Sequence, residues 1–190
     1  MHNVFISFYH QSDQIYKDIL LSQLAGRVFK DVSVDTGDIN TNNATDTIRS
    51  TIRDSFIASA TVSLVLVGNG TWRRKHVDWE IGSSIRDTKR NSRTGLVGVL
   101  TPSYRAVGKP GEKICYTNDG GGVYYPSSIP PRLWDNVKCG YAKIYSWTAF
   151  TNSFLASGYL EEAYKVRYRV EPDNSYPPFV RNRNDLLPNW

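Results

Sequence analysis

The chain has 190 residues, 40% of them hydrophobic, with net charge +5 and pI near 9.2, enough to bury a full core as one domain with some elaboration. No apolar run approaches the roughly 20 residues that span a bilayer. The opening MHNVFISFYH has no basic segment followed by a long apolar one, so a cytoplasmic protein without membrane contact is expected.

Val4 to Phe8 reads as a first strand. Ser12 or Asp13 can cap a helix whose apolar stripe is Ile15, Ile19, Leu20 and Leu24. Val28 to Val34 forms a second strand. The polar loop Thr36 to Asn43 leads to Thr45 as a cap and a helix with Ile48, Ile52 and Phe56 on one face. Thr61 to Val67 is a run of valine, leucine and threonine interrupted only by Ser63, the pattern of a strand buried on both faces of a parallel sheet. Gly68-Asn69-Gly70 breaks it, and Val77, Ile81 and Ile85 then recur at helical spacing. Gly95 to Leu100 is a fourth strand, stopped by Pro102. The repeated strand–helix units imply right-handed crossovers and an α/β fold, a doubly wound, flavodoxin-like parallel sheet of about five strands.

The second half is less regular. Ser103 to Pro131 is rich in Gly, Pro and Tyr, a long insertion of the kind that is functional or hides short strands. Tyr141 to Trp147 returns as a fifth strand, and Phe154 to Val166 suggests a last helix. The expected division is a domain over 1–170, with 103–140 as an insertion or lid, and an aromatic, proline-rich tail over 171–190 packed on it.

Cys115 and Cys139 match neither a disulfide framework nor a zinc pattern, and no metal is implied. The basic residues fall in small groups such as Arg73-Arg74-Lys75, without a helix-turn-helix, an RNP motif or a Cys/His finger. A solvated basic surface is the first reading, phosphates of a small ligand the second, and nucleic acid is not expected. A P-loop is absent, and no third glycine completes a dinucleotide fingerprint after Gly70. A receiver-type phosphoacceptor would need acidic residues where this chain has Ser7-Phe8-Tyr9-His10.

On a helical wheel Glu80 lies about 60° from Val77, on a flank shared with Ser84 and Asp87. That sets a carboxylate at the edge of a buried face, beside the rim where open α/β sheets bind ligands. From the pattern alone Glu80 reads first as a solvated helix carboxylate or one salt-bridged to Arg73, Arg74 or Arg86. Ser7, Phe8, Tyr9 and His10 follow the first strand and face the same rim. Phe8 and Tyr9 offer flat surfaces for a ring, Ser7 and His10 hydrogen bonds, and His10 is otherwise a turn residue. Asp35 ends the second strand, either as an acceptor for ribose hydroxyls or as part of a turn. Asn69 either orders the site or simply occupies a turn. Trp79 points away from the helix's core stripe and needs a cover, from the C-terminal half or a second copy of the chain.

NVFISFYHQSD, VDTGDI and SLVLVGNGTWRRKHVDWEIGSSI together resemble TIR-like domains, the last segment carrying that family's glutamate. More narrowly, the chain is similar to the ThsB family of the bacterial Thoeris anti-phage system. The shared features are a Thr-aromatic-x-Arg run (Thr71 to Arg74), Val-x-aromatic-Glu (Val77 to Glu80) and an aromatic C-terminal half with Tyr-x-Trp (Tyr145 to Trp147). His76 stands where the family pattern suggests tryptophan. The resemblance implies a substrate, NAD, and no resident cofactor. It assigns Glu80 to cleavage of the nicotinamide–ribose bond, with a cyclic ADP-ribose isomer as a diffusible signal that activates an effector after phage infection. The alternatives are a non-catalytic TIR scaffold, which binds other TIR domains, and a related nucleoside-ribosyl hydrolase or transferase.

Overall fold

A computed structural model describes residues 1–33, 57–88 and 92–183. Asp35, the loop from Thr36, and the helix expected around Ile48, Ile52 and Phe56 lie outside the described residues. Among those described, five parallel strands form one sheet in the order β2-β1-β3-β4-β7. These are β1 (His2–Ser7), β2 (Phe29–Asp31), β3 (Val62–Val67), β4 (Gly95–Leu100) and β7 (Ala142–Ser146). The order reverses between β1 and β3, and all strands end at one rim: Ser7 pairs with Val65, Val67 with Leu100, and Leu100 with Ser146.

Helices cover both faces, so alternate side chains of each strand enter different cores. Leu64 and Leu66 of β3 join Leu20 and Leu24 of α1 (His10–Leu24) and Leu160 and Ala163 of α5 (Ser153–Val166). Val65 and Val67 point the other way, to Val77 and Ile81 of α2 (Lys75–Ser84) and Leu133 of α3 (Pro131–Lys138). Every residue of β3 and β4 is buried, and each large aliphatic side chain so removed from water contributes roughly 1.5–3 kcal/mol. Gly95 lets α5 press on the sheet, because a Cβ there would stand 2.3 Å from the Ala163 carbonyl oxygen. A short helix α4 (Trp147–Phe150) precedes α5, started by Ser146, whose hydroxyl accepts from the Ala149 N–H.

Two sequence expectations change. The second strand spans only three residues. The other change concerns α1, which starts at His10, earlier than Ser12 or Asp13 as cap, and turns different residues inward. Ile15 is 60% exposed, whereas Asp13 and Lys17 are buried in line with Leu20 and Leu24. The long insertion does hide short strands, an antiparallel pair β5 (Cys115–Tyr116) and β6 (Val123–Tyr124), followed by a 3₁₀ turn Pro126–Ser128 ahead of α3. Among the described residues no helix is long and apolar enough to cross a membrane.

Candidate active site

The residues that leave β1 make one wall of a cleft. Tyr9 holds an extended conformation (φ −87°, ψ 101°), and its carbonyl accepts the N–H groups of Ser12 (3.1 Å) and Asp13 (2.9 Å) to start α1. Arg74 plays the same part for α2 (φ −93°, ψ 118°). Neither residue caps its helix through a side chain. Tyr9, His10 and Gln11 from α1 and Arg74, His76 and Val77 from α2 line the same cleft of about 480 Å³, with Phe8 and Asn182. Two helix amino ends, each carrying partial positive charge, therefore border one opening.

At the edge of this wall the Ser7 hydroxyl donates to Glu80 Oε2 at 2.5 Å. Burial pushes the Glu80 carboxyl up to about 7, against the opposing influence of that hydrogen bond and of the Lys17 charge. At neutral pH the group is divided between its two protonation states, the condition in which a carboxylate is available yet poorly solvated. Burial likewise lowers both histidines of the cleft. For His10 the Lys17 charge adds to burial, while a hydrogen bond with Gln14 opposes it. For His76 the charges of Lys75 and His10 add. Both rings are therefore neutral at pH 7 and serve as hydrogen-bonding surfaces.

Aromatic rings and the Arg74 guanidinium line the cleft, and the buried Lys17 ammonium stands behind the Phe8 ring. The Phe8 and His10 rings lie 4.1 Å apart, the Lys17 ammonium stands 5.4 Å from the Phe8 ring centre, and the Arg74 guanidinium sits 3.6 Å over Tyr9. Such walls suit a ligand with flat rings and phosphates.

The structure thus brings Ser7, Phe8, Tyr9 and His10 together with the helix of Glu80. Asn69 lies apart: it is exposed, its N–H donates to Ser103 Oγ (3.3 Å), and it borders a neighbouring hollow with Trp72, Arg105 and Val107. Residues 103–140 contribute to that hollow and not to the lining of the Phe8–His76 cleft. Trp79 is 1% exposed. Phe5, Ile57 and Ala60 pack on it, and its indole N–H donates to the Phe179 carbonyl at 2.8 Å. The chain's own C-terminal segment therefore supplies part of the cover.

Sequence reasoning gave no part to Lys17 or Asn182, read Asp13 only as a possible helix cap and placed Arg74 only within a basic group. Asp13 is fully buried, and its carboxylate accepts from the hydroxyls of Ser103 (2.7 Å), Thr71 (3.3 Å) and Thr101 (3.4 Å). This ties the first turn of α1 to the loops that follow β3 and β4. Gly68 is required there, since a Cβ would fall 2.1 Å from Asp13 Oδ1. A signal existed: Asp13 and Lys17 extend the Leu20–Leu24 stripe backward at helical spacing, but a search for apolar residues passes over them.

A family model for the TIR-like domain of the Thoeris protein ThsB matches residues 5–106, more than half of the chain. The matched span includes Ser7 to His10, Asp13, Lys17 and Glu80 but not Asn182. No curated protein matches the chain. The parallel sheet, with its reversal of strand order beside a rim glutamate, and the match over these same residues agree: the chain belongs to the family of the Thoeris protein ThsB, TIR-like domain.

Proposed function

We propose that this protein of Thoeris defence cleaves NAD at the nicotinamide–ribose bond. The observation that carries the reading is Glu80, hydrogen-bonded by Ser7 and raised to about 7, next to a cleft of aromatic and cationic side chains. As the C–N bond breaks heterolytically, nicotinamide keeps the electron pair and leaves as a neutral molecule. Positive charge builds at the ribose anomeric carbon, as in glycoside cleavage. A carboxylate held in a poorly hydrated position stabilises that charge with little reorganisation. Because the leaving group is neutral, one carboxylate is sufficient and no paired acid is needed. Phe8, Tyr9 and His10 offer surfaces for the rings, and Arg74 with the two helix amino ends suits the diphosphate.

The product in this reading is a cyclic ADP-ribose isomer, formed when a nucleophile of the same molecule attacks the anomeric carbon and gives up its proton. Intramolecular capture is favoured where the reacting groups are held close and water is scarce. The isomer acts as the diffusible signal to an effector protein in the cytoplasm during phage infection. The test is mass spectrometry of nucleotides from cells expressing the wild type or Glu80→Gln, with and without phage challenge. The expected result is nicotinamide and a cyclic species in infected wild-type cells only. Equal nicotinamide release by the Glu80→Gln protein, or linear ADP-ribose alone from the earliest times, would overturn the catalytic role or the cyclic product respectively.

A further inference from the structure

We propose that Asn182, in the C-terminal segment that returns along α2, is a specificity-determining residue of the cleft that donates a hydrogen bond to a phosphate oxygen of the bound dinucleotide. The proposal rests on the nucleotide reading above.

The C-terminal segment runs back along α2 from its carboxyl to its amino end. Asn174 Nδ2 donates to the Gly82 carbonyl (2.9 Å), and the Phe179 N–H donates to Asp78 Oδ2 (3.0 Å). Lys75 N–H donates to Asn182 Oδ1 (3.0 Å), and Arg183 N–H donates to the Arg73 carbonyl (3.0 Å). Four attachments in matching order hold the segment in register with the helix that carries Glu80, so the position of Asn182 is determined along the whole length of α2. The buried Arg132 adds three more hydrogen bonds, donating to Asn174 Oδ1 (2.5 Å), to the Asn174 carbonyl (3.2 Å) and to the Tyr176 carbonyl (2.7 Å).

Lys75 is the first residue of α2, and the preceding Arg74 offers no side-chain cap. Asn182 therefore caps the helix from 107 residues away. The direction of its amide follows from this contact: the Lys75 N–H is a donor, so the oxygen must face it. The Nδ2 group makes no hydrogen bond to the described residues. Asn182 lines the cleft, and its unused group presents two N–H donors beside Arg74 and the two helix amino ends. Every other charged or dipolar feature named there favours an anion, which points to phosphate as the acceptor.

The two ends of the amide can be tested separately. Asn182→Asp keeps an acceptor for the Lys75 N–H, and aspartate is as good a cap as asparagine. It replaces the donors with a second oxygen and a negative charge. Asn182→Ala removes both ends. NAD binding is measured by calorimetry in the Glu80→Gln background, where turnover does not interfere, together with thermal stability. With Asn182→Asp added, affinity is expected to fall about tenfold or more with no loss of Tm. With Asn182→Ala, both affinity and Tm fall. Affinity within twofold for the Asp variant would leave Asn182 as a cap alone and overturn the proposal, as would a fall in its Tm equal to that of the Ala variant. If the Glu80→Gln protein itself binds no NAD, the nucleotide reading fails and this inference fails with it.

Discussion

Asp78 and Glu80 lie two residues apart on α2 and meet opposite surroundings. Asp78 is 2% exposed and saturated. It accepts from Arg132 Nε at 2.9 Å and Nη2 at 3.4 Å, and from the Phe179 N–H at 3.0 Å. Arg132 is itself 1% exposed and its remaining donors go to Asn174 and Tyr176. Glu80, on the flank toward β1, receives a single hydrogen-bond donor among the described residues, the Ser7 hydroxyl, and no cation in contact. One carboxylate has both oxygens engaged by buried partners and joins α2 to α3 and to the C-terminal segment. The other keeps an unsatisfied oxygen at the rim and carries the cost of desolvation as a raised pKa. The two side chains share one chemistry; the number of donors delivered by distant segments decides which carboxylate is committed to the fold and which stays available at the rim.

The largest effect is expected on the saturated side. Arg132→Ala leaves Asp78 buried without its cation and releases the anchors at Asn174 and Tyr176, a loss of about 3–5 kcal/mol in stability. Urea unfolding followed by tryptophan fluorescence measures it. Replacing both partners with apolar residues (Asp78→Leu with Arg132→Met) is expected to recover part of the loss, because no unpaired charge then remains buried. A cost below about 1 kcal/mol for Arg132→Ala would remove the contrast between the two carboxylates.

The Glu80 side behaves in the opposite sense. Folded Glu80 holds its proton up to about 7, whereas the free side chain releases it near 4.5. Between those values the unfolded chain ionises first, so stability falls as pH rises through the window and the loss is complete above pH 7. The full shift corresponds to about 3 kcal/mol as an upper bound. Glu80→Gln escapes this loss. It is therefore expected to be more stable than the wild type by about 1–3 kcal/mol at pH 8 and indistinguishable from it near pH 4.5, while NAD cleavage disappears. Paired denaturation curves at the two pH values check the sign. A variant less stable than the wild type at pH 8 would mean that the carboxylate is satisfied after all.

What could be seen in the sequence follows the same division. β3 and β4 are legible to within a residue, because strands buried on both faces are dominated by Val and Leu, with Ser63 as the one polar residue inside and satisfied by the Thr94 hydroxyl, and Glu80 lies on the flank of a helix at the rim as the pattern predicts. α1 was misread on its buried face because Asp13 and Lys17 are charged there, and local rules fail where a site demands polar residues inside. The partners of α2 were not legible in the residues around it. Ser7 is 73 positions from Glu80, Arg132 is 54 from Asp78 and Asn182 is 107 from Lys75. The C-terminal segment that supplies several of these contacts has no helical or strand period, so its register along α2 is visible only once the chain is folded.

The smallest predicted effect isolates the one hydrogen bond that Glu80 receives among the described residues. Ser7 is buried, and its hydroxyl stabilises the ionised carboxylate by donating to it, so the contact lowers a pKa that burial raises. Ser7→Ala removes that donor while leaving the β1–β3 pairing, which is made by the backbone, in place. In the wild type about half of Glu80 is ionised at pH 7, and the rate of NAD cleavage is expected to rise as pH passes through that value. In Ser7→Ala the midpoint moves upward, and the rate at pH 7 falls roughly two- to tenfold, the loss of one charge-assisted hydrogen bond. Raising the pH restores the ionised form, so the two proteins are expected to converge above the higher midpoint. The profile of kcat/KM against pH separates this from a positional role. A Ser7→Ala rate depressed by the same factor at every pH would show that the hydroxyl orients Glu80 or the substrate and leaves its ionisation unchanged, whereas convergence at high pH assigns Ser7 to the charge state of the carboxylate.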